Sequence, residues 1–234
     1  VKGALGLGLT GVLAGCASSA SSTAASASST AAPAEKKEFT FADTVRWDAQ
    51  YDVVVMGMGA AGMVAAKTAA DNGAKVVIVE KCEEGKAGGN TKVCGQLFAY
   101  ANGDKDAAKS YYTALAGGRD IEPEIIDAIS EGVANMADIL ADEFGFNKDE
   151  YMDWTGVNVV GTNMGAMSPE YPEMPGHEKM ALWTTHAGAS DGYLYQGLKQ
   201  NVTDRVDAID VWYSSPAKSL IQDPVTKTVV GVTV

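Results

Sequence analysis

Two short apolar runs, residues 51–56 and 75–80, are joined by Gly57-Met58-Gly59-Ala60-Ala61-Gly62 and an alanine-rich stretch ending at Gly73. No other feature of the chain constrains its fold as much. Apolar runs without alternation suit strands buried on both faces of a parallel sheet. Residues 63–72 between them read as a helix, with Gly73 as its stop. Strand, turn, helix and strand make a βαβ unit, which places the chain in the α/β class.

Each glycine of the turn has a physical role. Gly57 permits the tight turn after the strand. Gly59 has no side chain, so the backbone can approach a pyrophosphate closely. Gly62 lets the helix pack tightly on the strand. Ala61, Ala65, Ala66 and Ala69 keep the helix surface small. The helix opening, with Ala60 and Ala61 among the candidate contacts, offers free N–H groups and partial positive charge to phosphates. Glu80, 23 residues after Gly57, ends the second strand and can accept hydrogen bonds from a ribose. Together these parts read as a dinucleotide fingerprint, which by itself does not separate FAD from NAD.

The next segment runs from Lys81 through Gly88-Gly89-Asn90-Thr91 to Gly95-Gln96. A doubled glycine followed by an amide and a hydroxyl supplies close backbone approach plus polar contacts. The segment resembles the flavoprotein superfamily of fumarate reductases, urocanate reductases and 3-oxosteroid dehydrogenases. The resemblance is strong over residues 52–95 and loose from there to residue 234. It implies FAD as the cofactor, with Glu80 and Lys81 at the adenosine ribose. It implies a second loop of Gly88, Gly89, Asn90 and Thr91 along the pyrophosphate and ribityl chain, and Gly95 near the isoalloxazine ring. Many relatives carry glycine where this chain has Gln96, so the backbone shape and flavin contact at Gln96 depart from the family pattern. The resemblance also puts a residue near Ala217 against adenine through its backbone.

Charge and composition exclude other classes. Lys+Arg number 18 against 30 Asp+Glu, a net charge of -12. Phosphate backbones bind positive surface, so no nucleic-acid partner is expected. Cys16, Cys82 and Cys94 are too few for a disulfide framework or a four-thiolate metal site. Cys82 and Cys94 read as small hydrophobes rather than a redox pair. His177 and His186 give little material for a metal site, read as loop or surface residues, and no metal is expected.

The N-terminal residues have another character. Lys2 precedes an apolar stretch over residues 4–15, too short for a bilayer, which takes about 20 residues, and of signal-peptide length. Leu13-Ala14-Gly15-Cys16 resembles the lipobox of bacterial lipoproteins. That implies a signal peptide over residues 1–16, lipidation at Cys16, and membrane attachment on the extracytoplasmic face through that lipid only. Residues 1–6 are also similar to the end of a twin-arginine signal, a route that suits a protein exported with its cofactor already inserted. Residues 17–38, rich in Ala, Ser and Thr, read as a disordered tether. Both ends of the chain read as cut, with part of the fold expected beyond residue 234.

Taken together, these readings imply a Rossmann-like FAD-binding domain, incomplete, with part of a smaller α+β capping domain inserted. Residues 39–110 are expected to form its first part. Residues 111–205 would be a helical and loop region leading to the capping domain, and 206–234 strands returning to the FAD domain. Spacing predicts helices at 106–117, 121–144 and 193–203. The second would bury Ile125, Ile126, Ile129, Val133, Met136, Leu140 and Phe144. The proline-rich run 168–176 reads as an extended loop, similar to one in 3-oxosteroid dehydrogenase-like members. Strands are expected at 210–215, 218–222 and 228–234, with a turn at Asp223-Pro224. The resemblance places the substrate-binding histidines and a proton-donating arginine beyond residue 234, so no catalytic residue is assigned. Arg46, Arg119 and Arg205 fit surface positions. The implied function is an exported flavoprotein oxidoreductase that reduces an activated C=C bond of a small-molecule substrate, fed by a separate electron donor. A 3-oxosteroid dehydrogenase-like enzyme and a non-catalytic ligand-binding lipoprotein are the alternatives.

Overall fold

The computed structural model describes residues 2–5, 39–156, 171–188 and 190–234. Cys16, the tether and residues 157–170, which include the start of the proline-rich run, lie outside the described residues. In chain order the strands are β1 (Lys2–Leu5), β2 (Ala49–Tyr51), β3 (Val53–Met56), β4 (Val76–Val79) and β5 (Phe98–Tyr100), followed by β6 (Met152–Asp153), β7 (Ala181–Thr184), β8 (Ile209–Trp212), β9 (Ser219–Gln222) and β10 (Val229–Thr233). The helices are α1 (Ala60–Asp71), α2 (Gly89–Val93), α3 (Lys105–Leu115), α4 (Pro123–Phe144) and α5 (Tyr193–Thr203). Among the described residues no helix is long and apolar enough to cross a membrane.

The chain divides into two compact units, Val1–Asp52 with Lys218–Val234, and Val53–Ala217. The first holds a sheet of order β2-β1-β10-β9. Residues 2–5, inside the stretch read as a signal, pair there parallel to β2 and antiparallel to β10. β9 and β10 form a hairpin. Its turn is built as the Asp223-Pro224 pair suggests: Asp223 Oδ1 accepts from the amides of Val225 at 2.7 Å and Thr226 at 3.1 Å.

The second unit is organised on the parallel sheet β3-β4-β8, with Val54 opposite Val77 and Val77 opposite Asp210. Every residue of central β4 is buried. β3 is at the sheet's edge, is half-buried, and leaves Met56 62% exposed, so burial on both faces holds for β4 and not for β3. α1 starts three residues before the expected position, because Gly59 already serves as its N-cap. Its buried face is Met63, Ala66 and Lys67, while Ala61 and Ala65 are exposed. The alanines thus do not form one packed stripe.

Between β4 and β8 the chain builds the antiparallel sheet β5-β7-β6 and the paired helices α3 and α4. Pro123 opens α4 and Gly145, at φ +77°, closes it in the left-handed region. The buried face of α4 is rotated from the expected one. Ile125 and Ile129 are exposed, and Ser130, Ala134 and Ala137 are buried with Ile126, Leu140 and Phe144. Small side chains on that face allow close approach of neighbours, and the isoleucines are left outside. Leu140, Phe144, Leu198, Val202 and Ile209 join Met58, Met63 and Ile78 in one core.

Arg205, which fits a surface position, is paired there: its Nε and Nη2 donate to Asp71 Oδ1 and Oδ2 at 2.5 and 3.1 Å, and buried Lys67 donates to Oδ2 at 2.8 Å. Two cations on one carboxylate tie the end of α1 to the end of α5. The Arg205 and Lys67 hydrogen bonds hold the Asp71 pKa down at about 2.

Candidate functional site

The first glycine turn sits where β3 delivers the chain to α1. Gly57, at φ +93°, makes the turn, and its N–H donates to the Val79 carbonyl at 2.9 Å. A Cβ on Gly62 would stand 2.0 Å from the Gly57 oxygen, so only glycine lets α1 pack this closely. Gly59 is different. A Cβ there would meet nothing nearer than Thr91 Oγ1 at 3.7 Å. Its freedom is not used for packing; it leaves the backbone open to an approaching group.

Glu80 is buried at the end of β4, and both its oxygens are engaged. Oε2 accepts from the Met58 amide and Oε1 from the Cys82 amide, each at 2.8 Å. Burial pushes the carboxyl pKa up, but the backbone bonds from Cys82 and Met58 outweigh it and hold it below its ordinary value. The expected ribose acceptor is therefore also the tie between the turn and the second strand. Each carboxylate oxygen keeps a second lone pair for a hydroxyl. Lys81, beside it, is exposed.

Gly88, Gly89, Asn90 and Thr91 do not form the loop expected of them. Gly88, at φ +123°, is the N-cap of α2, and Gly89, Asn90 and Thr91 are its first turn. A Cβ on Gly89 would lie 3.9 Å from the Gly59 Cα, so the two glycine turns face one another. Thr91 Oγ1 accepts from the Ala60 amide at 2.9 Å. That bond fills one of the α1 donors expected to be free. Among the described residues the amides of Gly59, Ala61 and Gly62 have no hydrogen-bond partner, as the start of a helix requires.

Gln96 is 1% exposed and holds φ +64°. Its backbone thus takes the left-handed shape a glycine would adopt. Its side chain turns inward: Nε2 donates to the Thr91 carbonyl at 2.6 Å, and Oε1 accepts from the Tyr195 amide at 3.1 Å. The amide is used up within the protein. Gly95 is likewise engaged, its carbonyl accepting from Ser190 at 3.1 Å. Tyr195, Met58 and Lys86 belong to this region and were not singled out from the sequence. Tyr195 lies 99 residues from Gln96, and no local pattern signals such a contact.

A cleft of ≈ 350 Å³ opens along the first turn, lined by Gly57, Gly59, Glu80, Lys81, Gly89 and Ala217 among others. The structure thus brings together Gly57 and Gly59 of the first turn, the terminal acid with Lys81, Gly89 and Ala217, while Ala60, Ala61, Gly62 and Gly88 stand outside the lining. Asn90, Thr91, Gly95 and Gln96 do not line it. His186 is elsewhere, its Nε2 2.6 Å from Asp191 Oδ2 and its ring stacked on Tyr193. His177 Nδ1 is 2.8 Å from the Met174 carbonyl. Among the described residues no cluster of His, Cys, Asp or Glu could hold a metal ion.

A family model described as the FAD binding domain matches residues 52–234. The chain is 29% identical over 180 residues to the NADH:fumarate oxidoreductase of Klebsiella pneumoniae, covering 73% of this chain and 17% of that protein. It is 40% identical over 86 residues to a 3-oxosteroid 1-dehydrogenase of Mycobacterium tuberculosis, covering 34% and 15%. The chain therefore spans less than a fifth of the length of these relatives. Among solved structures, 3-ketosteroid delta1-dehydrogenase from Sterolibacterium denitrificans superposes with a TM-score of 0.61 at 18% identity, covering 78% of this chain and 43% of that one. That likeness shows a shared fold.

Proposed function

The chain belongs to the FAD binding domain family, and from that premise we propose that it is the nucleotide-holding part of an oxidoreductase whose residues 57–62, 80–81, 88–91 and 217 cradle FAD. The carrying observation is the approach of Gly59 to Gly89, with Glu80 lining the same cleft. Open amides at Gly59, Ala61 and Gly62 fit a pyrophosphate, and a buried ionised carboxylate with spare lone pairs fits a ribose. When bound, FAD supplies hydride transfer to or from carbon; the protein orients it.

Reduction of an activated C=C bond in a small-molecule acid is the leading reaction. Similarity over 180 residues to a fumarate oxidoreductase supports it. A 3-oxosteroid dehydrogenation is the second reading, favoured by the higher identity over a shorter span. Anaerobic assay of the full-length protein with reduced viologen and fumarate, urocanate or cinnamate-type acids tests the first. Turnover only with a 3-oxosteroid and an organic dye would replace it by the second. A full-length protein that stays colourless after exposure to FAD would sink both.

We also propose export and lipid anchoring at Cys16, with electrons from a separate donor. The Leu13-Ala14-Gly15-Cys16 sequence and the tether behind it support the anchor. Metabolic labelling with palmitate, lost in Cys16→Ser, tests it. An unlabelled protein retaining residues 2–5 would reject it and keep β1 in the sheet.

A further inference from the structure

Tyr195 projects from α5 onto the second glycine turn and is 5% exposed. Its hydroxyl donates to the Ala87 carbonyl at 3.0 Å. Its ring occupies the place where a Cβ on Gly88 would come within 2.5 Å. Its amide donates to Gln96 Oε1, and Gln96 Nε2 reaches back to the Thr91 carbonyl. The turn is thus gripped at Ala87 by the Tyr195 side chain and at Thr91 by the Gln96 side chain, which is itself held by the Tyr195 backbone amide. A buried amide on a left-handed backbone is kept only where its surroundings offset the strain, and here they are this grip.

We propose that Gln96 and Tyr195 are positioning residues that fix the turn 87–91 and thereby set how tightly the flavin nucleotide is held. The inference rests on the reading of that turn as part of the FAD site. It goes further, because neither residue lines the cleft. Thr91 transmits the effect. Its carbonyl is held by Gln96 while its hydroxyl accepts from Ala60, so a displaced Thr91 disturbs both glycine turns at once.

The test uses the full-length protein in two variants. Tyr195→Phe keeps the ring against Gly88 and removes the Ala87 bond. Gln96→Gly keeps the left-handed backbone and removes the amide. Each is expected to speed FAD release roughly tenfold and to weaken ADP binding by a similar factor, the size of one good hydrogen bond. The double variant should exceed either single one by less than the product, because both act on one turn. Apo melting temperatures should move by no more than about 4 °C. A lower melting temperature with unaltered FAD release and ADP affinity would make the pair a plain packing contact and overturn the inference. No FAD uptake by the unaltered protein would overturn the site reading, and the positioning role with it. Normal uptake with normal release in both variants would overturn the positioning role alone.

Discussion

The Met58 amide and the Glu80 carboxylate meet at 2.8 Å although 22 residues separate them. That bond, with the one from Cys82, makes the acid at the end of β4 a structural part of the first glycine turn. Glu80→Gln turns one of the two acceptors into a donor facing a backbone N–H. The expected cost is about 1–3 kcal/mol, the penalty of an unsatisfied buried group. Urea unfolding measures it, and FAD affinity should fall in parallel.

The same carboxyl sets an acid limit. Its folded pKa lies below the ordinary 4.5. Its contribution is therefore complete above about pH 4.5 and is lost as pH falls through the lowered value. FAD retention should be flat from neutrality down to that point and then drop. A drop centred near pH 6 would point to another group.

Gly59 and Gly62 should separate binding from folding. Gly62→Ala puts a methyl 2.0 Å from a backbone oxygen and should destabilise the protein by about 3 kcal/mol. At Gly59 a Cβ meets only ordinary contacts and φ is −78°, so in Gly59→Val stability should change by no more than about 1 kcal/mol. Its side chain fills the pyrophosphate's place, so FAD affinity should drop by at least roughly 100-fold. Paired thermal melts and flavin titrations distinguish the two.

Asp71, with its pKa held at about 2, should defer acid unfolding of the α1–α5 junction. Its stabilisation is whole above 3.8 and disappears as pH falls through about 2. Asp71→Asn removes it at all pH values and should flatten that part of the acid-unfolding curve. The effect is modest, since solvent reaches the carboxylate.

The sequence made β4, α1, the first glycine turn and the stop at Gly145 legible, because each rests on local chemistry: an unbroken apolar run, a missing side chain, a left-handed cap. What depends on neighbours is not legible in it. Ile125 and Ile129 fit a helical stripe but lie outside, since which face of α4 is buried depends on its packing partners. Arg205 reads as a surface cation, and only the fold brings it 134 residues back to Asp71. Glu80 reads as a ligand acceptor, and its structural duty shows only when Met58 and Cys82 are placed. The resemblance places Thr91 at the cofactor, and the structure adds a bond from the Ala60 amide to its hydroxyl that no local pattern signals.

The bond between Thr91 and Ala60 has a thermodynamic meaning for whatever enters the cleft. It closes two turns, thirty-one positions apart, into one preformed surface. The entropy of ordering them is spent during folding, not at the moment of encounter. A nucleotide therefore meets a mould rather than a pair of loose strands, and its affinity can go into discriminating between nucleotides.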